Sequence, residues 1–162
     1  MEARGGNDDR PRALYRDRSA ALPHDTRGQP MRRPRGRVLV AEDDRAMRDL
    51  ITSLLRDAGY DVVEACDGAQ LLDRIGDLAG RLHGRHAIEL IISDIRMPGL
   101  TGLDVLAALR VAYWRTPVIL ITAFGNEESH AEANQLGALA VLDKPFALEE
   151  LLALVRGTVP PC

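Results

Sequence analysis

No run of apolar residues in this 162-residue chain approaches the roughly 20 needed to span a bilayer as a helix. The first residues hold arginines and prolines where a secretory signal would need an apolar core. A cytoplasmic location is therefore expected by default. Cysteine is scarce, and Cys66 and Cys162 stand too far apart to match any metal-binding spacing. They read as one half-buried small residue and one terminal residue. The histidines (His24, His83, His86, His130) form no spaced set and receive no chemistry. Lysine is scarcer still, since Lys144 is the only one.

What is present is the balance of an ordinary globular domain, with 46% hydrophobic and 28% charged residues. The net charge of -3 hides an asymmetry. Residues 1–37 carry ten of the 21 basic residues and five of the 24 acidic ones, a net of +5 against -8 for the remainder. Residues 1–35 have few large apolar groups and prolines at 11, 23, 30 and 34. Such a stretch cannot bury enough surface to offset its ordering entropy. It is expected to be a disordered extension rather than a nucleic-acid-binding arm, because its five acids dilute the charge and only Tyr15 interleaves an aromatic ring. Met31, just ahead of "RRPRGRVLV", would also serve as a translation start. The domain proper is expected over 36–158, with a tail at 159–162.

From residue 37 the pattern becomes regular. "RVLVA" (37–41), "DVVEA" (61–65), "IELIIS" (88–93), "VILIT" (118–122) and "LAVL" (139–142) are short apolar runs with the character of buried strands. Between them lie helical patterns. Met47, Leu50, Ile51, Leu54, Leu55 and Ala58 recur at three- and four-residue steps across 45–58, with Gly59 as the expected C-cap. Leu71, Leu72, Ile75, Leu78 and Ala79 mark a helix over 68–80. Leu103, Leu106, Ala107 and Leu109 mark a third, 127–136 a fourth closed by Gly137, and Leu148, Leu151, Leu152 and Val155 the last. The stretch 76–87, with glycines at 76, 80 and 84, reads as a loop or frayed helix end forming a surface insertion.

Five apolar strands alternating with five helices predict an α/β fold: a five-stranded parallel sheet with helices on both faces, doubly wound by right-handed crossovers. Ligands in such sheets bind beyond the carboxyl ends of the strands. There the chain places Glu42, Asp43 and Asp44 after the first strand, Asp94 after the third, Thr122 at the end of the fourth and Lys144 after the fifth. Taken singly, an Asp after a strand is a cap or turn residue, and Asp44 is expected to cap the helix at 45. A Thr ending a strand is a β-former, and a Lys before Pro145 is a solvated charge. Taken together they put several carboxylates, one hydroxyl and one ammonium in a small pocket. An all-oxygen cluster suits Mg2+, which commonly uses one or two carboxylates plus phosphate oxygens. An Asp there can serve as a nucleophile toward phosphorus, in a reaction that needs mainly positioning and charge neutralisation.

The stretches "VLVAEDD" (38–44), "SDIRMPGLTGLDVL" (93–106), "PVILITAFG" (117–125) and "GALAVLDKPF" (137–146) resemble the receiver domain of bacterial response regulators, of the single-domain type. The likeness runs from about residue 37 to 157. It implies a flavodoxin-like (βα)5 sheet in the order 2-1-3-4-5. It implies Asp94 as phosphoacceptor, with Thr122 and Lys144 completing the catalytic set. Thr122, Ala123 and Lys144 would contact the phosphate, Ala123 by leaving room for it. Glu42, Asp43, Asp94 and the backbone carbonyl of Arg96 would hold Mg2+, Asp43 as a direct ligand. The Lys144–Pro145 bond is implied to be cis. The implied partners are a sensor histidine kinase or phosphotransfer protein and a downstream protein, with no nucleic acid on the core domain, no membrane and a homodimer left open. The resemblance implies a signalling receiver that assists its own phosphorylation and dephosphorylation, and no separate enzyme.

Two departures stand out. Val141 occupies a place where the family often has an aromatic residue whose ring swings with Thr122, and a valine cannot make that swing. Arg96 and Phe124 occupy places that flank the path of the hydrolytic water. Neither can act as its base, so a long-lived phosphoryl group is expected. No DNA-binding or catalytic stretch follows the last predicted helix, so output is expected through a protein partner, a relay, or a domain outside this sequence. Two other readings compete. One is a phosphorylation-independent binding module on the same fold. The other is a phosphatase with an aspartyl nucleophile, disfavoured because such enzymes carry a second Asp two residues on, where this chain has Arg96.

Overall fold

The computed structural model describes residues 36–79 and 87–160, the side chains of Leu78 and Ala79 excepted. The expectations for 1–35, for Gly80 and Gly84, for His24, His83 and His86, and for Cys162 lie outside the described residues.

Strands β1 (Arg37–Ala41), β2 (Asp61–Ala65), β3 (Ile88–Asp94), β4 (Val118–Thr122) and β5 (Ala140–Asp143) alternate with helices α1 (Arg45–Asp57), α2 (Gly68–Ala79), α3 (Gly102–Val111), α4 (Glu127–Gln135) and α5 (Leu148–Thr158). All strand pairs are parallel, and the order is β2-β1-β3-β4-β5. The reason is legible in the strands. Every residue of β4 is buried, as are all of β3 but Glu89, so both faces of the sheet must be covered. Alternate side chains serve alternate faces. Leu39, Ile91 and Leu120 pack with Leu71, Ile75, Leu103, Leu106 and Leu109 of α2 and α3. Val38, Val40, Ile92, Ile119 and Ile121 pack with Ile51, Leu55, Leu151 and Val155 of α1 and α5.

Local signals end the helices. Asp44 caps α1 by accepting from the Met47 N–H at 2.7 Å, as expected. Thr101 and Asp104 form a reciprocal capping box on α3. Gly59, at φ 91°, follows α1 in the left-handed region that glycine enters without steric cost. The Lys144–Pro145 bond is cis, as the family likeness implies.

Some expectations need correction. Leu50 is 47% exposed, while Thr52, unmarked by the apolar pattern, is buried with its hydroxyl on the Asp49 carbonyl. One residue along a helix is a 100° turn, and Leu50 falls just outside the arc that meets the sheet. Gly76 lies within α2, which agrees with the helix expected over 68–80 and not with a loop beginning at 76. The last strand starts at Ala140, leaving Leu139 half-exposed. Val159, expected to open the tail, is fully buried, and its carbonyl accepts from the Tyr60 hydroxyl at 3.1 Å. No described helix is long and apolar enough to cross a membrane.

Candidate functional site

The sheet register brings the expected residues to one edge. Ala41 is level with Ala65 on one side and Ser93 on the other, so Glu42 and Asp94 leave adjacent strands side by side. Asp94 is level with Ile121, and Thr122 with Asp143. The ladder continues past the strands: Ile95 N–H donates to the Ile121 carbonyl at 2.8 Å and Lys144 N–H to the Thr122 carbonyl at 2.7 Å. Thus the candidate site residues stand on backbone that is still hydrogen-bonded.

Both Asp94 carboxylate oxygens are held. Oδ1 accepts from the Arg96 N–H at 2.8 Å, and Oδ2 accepts from Lys144 Nζ at 2.6 Å. The same ammonium donates to Glu42 Oε2 at 2.8 Å. Glu42 Oε1 in turn accepts from the Asp44 N–H at 3.2 Å. Lys144 thereby joins two carboxylates from β1 and β3 to the end of β5. Glu42 and Asp94 are buried, whereas Asp43 is exposed at the mouth. Carboxylate oxygens of Glu42, Asp43 and Asp94 all lie within 4.8 Å of one another.

Such crowding costs free energy. Burial, chiefly, pushes the Glu42 carboxyl up to about 7, with the Asp94 charge adding and the Lys144 hydrogen bond opposing. Burial alone would pull the Lys144 ammonium down, but its bonds to Asp94 and Glu42 outweigh that and raise it. A cluster of three oxygen-donor acids, two buried and one open to water, is the donor set a hard divalent cation takes. The residues fit Mg2+, and Lys144 now carries part of the neutralising charge.

The remaining expected residues fall as follows. Thr122 is buried, and its Oγ1 accepts from the Phe124 N–H at 3.2 Å. Ala123 is exposed at the rim. The Arg96 guanidinium stacks over the Phe124 ring, 4.8 Å from its centroid, so the two residues expected to flank the water path touch each other. Val141 is half-buried, level with Leu120 on β4, against the core cluster to which α4 contributes Ala133.

Three residues not singled out from the sequence also shape the site. Ser93 is buried, and its hydroxyl donates to the Asp94 carbonyl at 2.9 Å. Gly102 opens α3 so close to that carbonyl that a Cβ would lie 2.4 Å from it. Arg48 reaches back from α1 to the Glu42 carbonyl at 2.7 Å. A serine just before a strand-end acid and a glycine opening a helix were the available signals for the first two.

Comparison with known proteins agrees with this geometry. A family model described as "Response regulator receiver domain" matches residues 38–156. The Transcriptional regulatory protein CpxR of Escherichia coli (strain K12) is 38% identical over 120 residues, which are 74% of this chain and 47% of that protein. Transcriptional regulatory protein FixJ of Bradyrhizobium diazoefficiens is 32% identical over 125 residues, 77% of this chain and 57% of that one. The chain therefore spans about half the length of the curated relatives it matches. Among solved structures, the chemotaxis protein CheY4 of Vibrio cholerae superposes with a TM-score of 0.64 at 31% identity, covering 76% of this chain and 98% of that one.

Proposed function

Because the chain belongs to the response regulator receiver family, we propose that it is a phosphorylation-dependent switch of a two-component phosphorelay. It would accept a phosphoryl group on Asp94 from a sensor histidine kinase or phosphotransfer protein and signal through a protein partner. The observation that carries this reading is the Asp94 carboxylate, held between the Arg96 N–H and the Lys144 ammonium, beside Glu42 and Asp43.

In that reaction an Asp94 oxygen attacks phosphorus. The phosphorus–nitrogen bond of the donor phosphohistidine breaks, and its electron pair stays on the imidazole. Lys144 neutralises one phosphoryl oxygen, the Thr122 hydroxyl donates to a second, and Ala123 leaves them space. Glu42, Asp43, Asp94 and the Arg96 carbonyl would hold Mg2+, which, when bound, offsets phosphoryl charge. The new dianion competes for Lys144 and Thr122 and so biases the loop from β4 to α4 and the surface around β5. The half-buried Val141 favours a readout on that surface other than a ring swing. Arg96 and Phe124, stacked on each other two residues beyond Asp94 and Thr122, offer no base, which supports slow hydrolysis. A division into an extension at 1–35 and a receiver that runs from 36 to the buried Val159, a cytoplasmic location and a second copy as partner belong to the same reading.

The test is intact-mass spectrometry after incubation with acetyl phosphate and Mg2+, wild type beside Asp94→Asn. One added phosphate in the wild type alone is expected. No gain in a folded wild type would favour the alternative, a phosphorylation-independent binding module on this fold. Pull-downs with and without phosphorylation then identify the output partner.

A further inference from the structure

Only three residues, Glu42, Asp43 and Asp44, join β1 to α1. Two of them carry acids of the cluster, so the shape of this turn sets where those carboxylates point. The turn is held on its strand side by the Glu42 N–H, which donates to the Ala65 carbonyl at 3.2 Å. On its helix side it is held by one residue twice. The Arg48 N–H donates to the Asp44 carbonyl at 2.9 Å, and Arg48 Nη1 donates to the Glu42 carbonyl at 2.7 Å. These two carbonyls stand immediately after and immediately before Asp43.

Arg48 is not a loose surface cation that happens to reach. Its side chain is 15% exposed, and Nε lies 3.5 Å from Glu64 Oε2 on β2. Glu64 is itself fixed by Arg56 at 2.6 Å. A cation this near a helix N-terminus also stands against the helix dipole, which on α1 is offset by the N-cap Asp44 alone, since its first turn holds no acid. Where a local preference is broken, a compensating role is expected. The contacts with the Glu42 carbonyl and Glu64 supply it.

We infer that Arg48 is a positioning residue for the cation site: its guanidinium fixes the Glu42 carbonyl ahead of Asp43, as the helix backbone fixes the Asp44 carbonyl after it, and so completes a bracket that holds the Asp43 carboxylate against Glu42 and Asp94. The inference rests on the Mg2+-dependent reading of Asp94 above. It makes a prediction whose sign is its own. On charge alone, deleting a cation beside an anionic site tightens Mg2+ binding. Release of the bracket loosens it.

The measurement is isothermal titration of Mg2+ into the full chain for the wild type, Arg48→Met and Arg48→Lys, each checked for native circular dichroism. Arg48→Lys keeps the charge but lacks the planar fork that holds the carbonyl and Glu64 together, and it decides the matter if the methionine variant does not fold. The dissociation constant is expected to rise roughly tenfold in both, the low end for groups that hold metal ligands in place. The acetyl phosphate reaction is expected to slow at low Mg2+ and to return to within about twofold of wild type at saturation. Unchanged or tighter Mg2+ binding in a folded variant would overturn the role of Arg48. A folded wild type that neither binds Mg2+ nor gains phosphate would instead overturn the reading of Asp94 on which it rests.

Discussion

Replacing Glu42 by glutamine should stabilise the protein at about pH 8 in the presence of EDTA, although it removes an acid bonded to the lysine of the site. The carboxyl is pushed from 4.5 up to about 7 in the folded state, burial being the main cause. Below the unfolded value both states hold the proton, and nothing is lost. Between the two values the folded state binds more protons than the unfolded one, so stability falls as pH rises, and the loss is complete above about 7. A shift of this size corresponds to about 3 kcal/mol. Water at the open side, where Asp43 is exposed, screens part of this, leaving an expected gain of about 2 kcal/mol for a residue that cannot ionise. For a domain of this size that is roughly 6–10 °C in Tm. Thermal melts followed by circular dichroism, wild type beside Glu42→Gln in EDTA, should show that gap at pH 8 and should show it narrowing to under about 1 kcal/mol near pH 5. Saturating Mg2+ should narrow it as well, because only the wild type keeps the full set of acids for the cation. Equal melting at pH 8, or a gap unchanged near pH 5, would refute the assignment of the cost to an ionised, buried Glu42.

Arg110→Ala removes donors to the carbonyls of Trp114 (2.7 Å), Leu136 (3.1 Å) and Gly137 (3.1 Å); a loss of about 2–3 kcal/mol is expected in urea unfolding, and an unchanged midpoint would contradict the tie between α3 and the end of α4. In Gly102→Ala the added carbon would meet the Asp94 carbonyl at 2.4 Å and Ser93 Oγ at 3.0 Å. Since backbone cannot yield cheaply, about 1–3 kcal/mol should be lost together with the rate of phosphate gain, and wild-type values for both would show that α3 can slide. The phosphoryl group on Asp94 should be long-lived and should decay faster in Phe124→Ala, which removes the ring on which Arg96 stacks; loss of the mass label from the wild type within seconds would contradict this.

Most of the fold could be read from the chain alone. The central strands β1, β3 and β4 are nearly continuous apolar runs because both their faces are covered, which five strands and five helices achieve in a doubly wound parallel sheet. The rule that ligands sit beyond the carboxyl ends then pointed to Glu42, Asp43, Asp94, Thr122 and Lys144, since each directly follows or ends a run. Periodicity was least informative at the borders of a face. Leu50 and Thr52 exchange the roles their polarity suggests, because the arc of α1 that meets the sheet depends on how the helix lies against it.

The sequence by itself determined which residues are candidates for the site and that they stand beyond the carboxyl ends of the strands, because strand composition and chain order suffice for both; the roles expected of them came from the family likeness. Only the tertiary structure decided how they act on one another. Lys144 meets Glu42 across 102 residues of chain through the register of four paired strands, which no local pattern records. The raised Glu42 carboxyl is a consequence of burial, which is a property of the closed pocket and not of a glutamate. Arg48 holds the acidic turn only because a helix folds back over the strand before it, placing a guanidinium over a carbonyl six residues earlier.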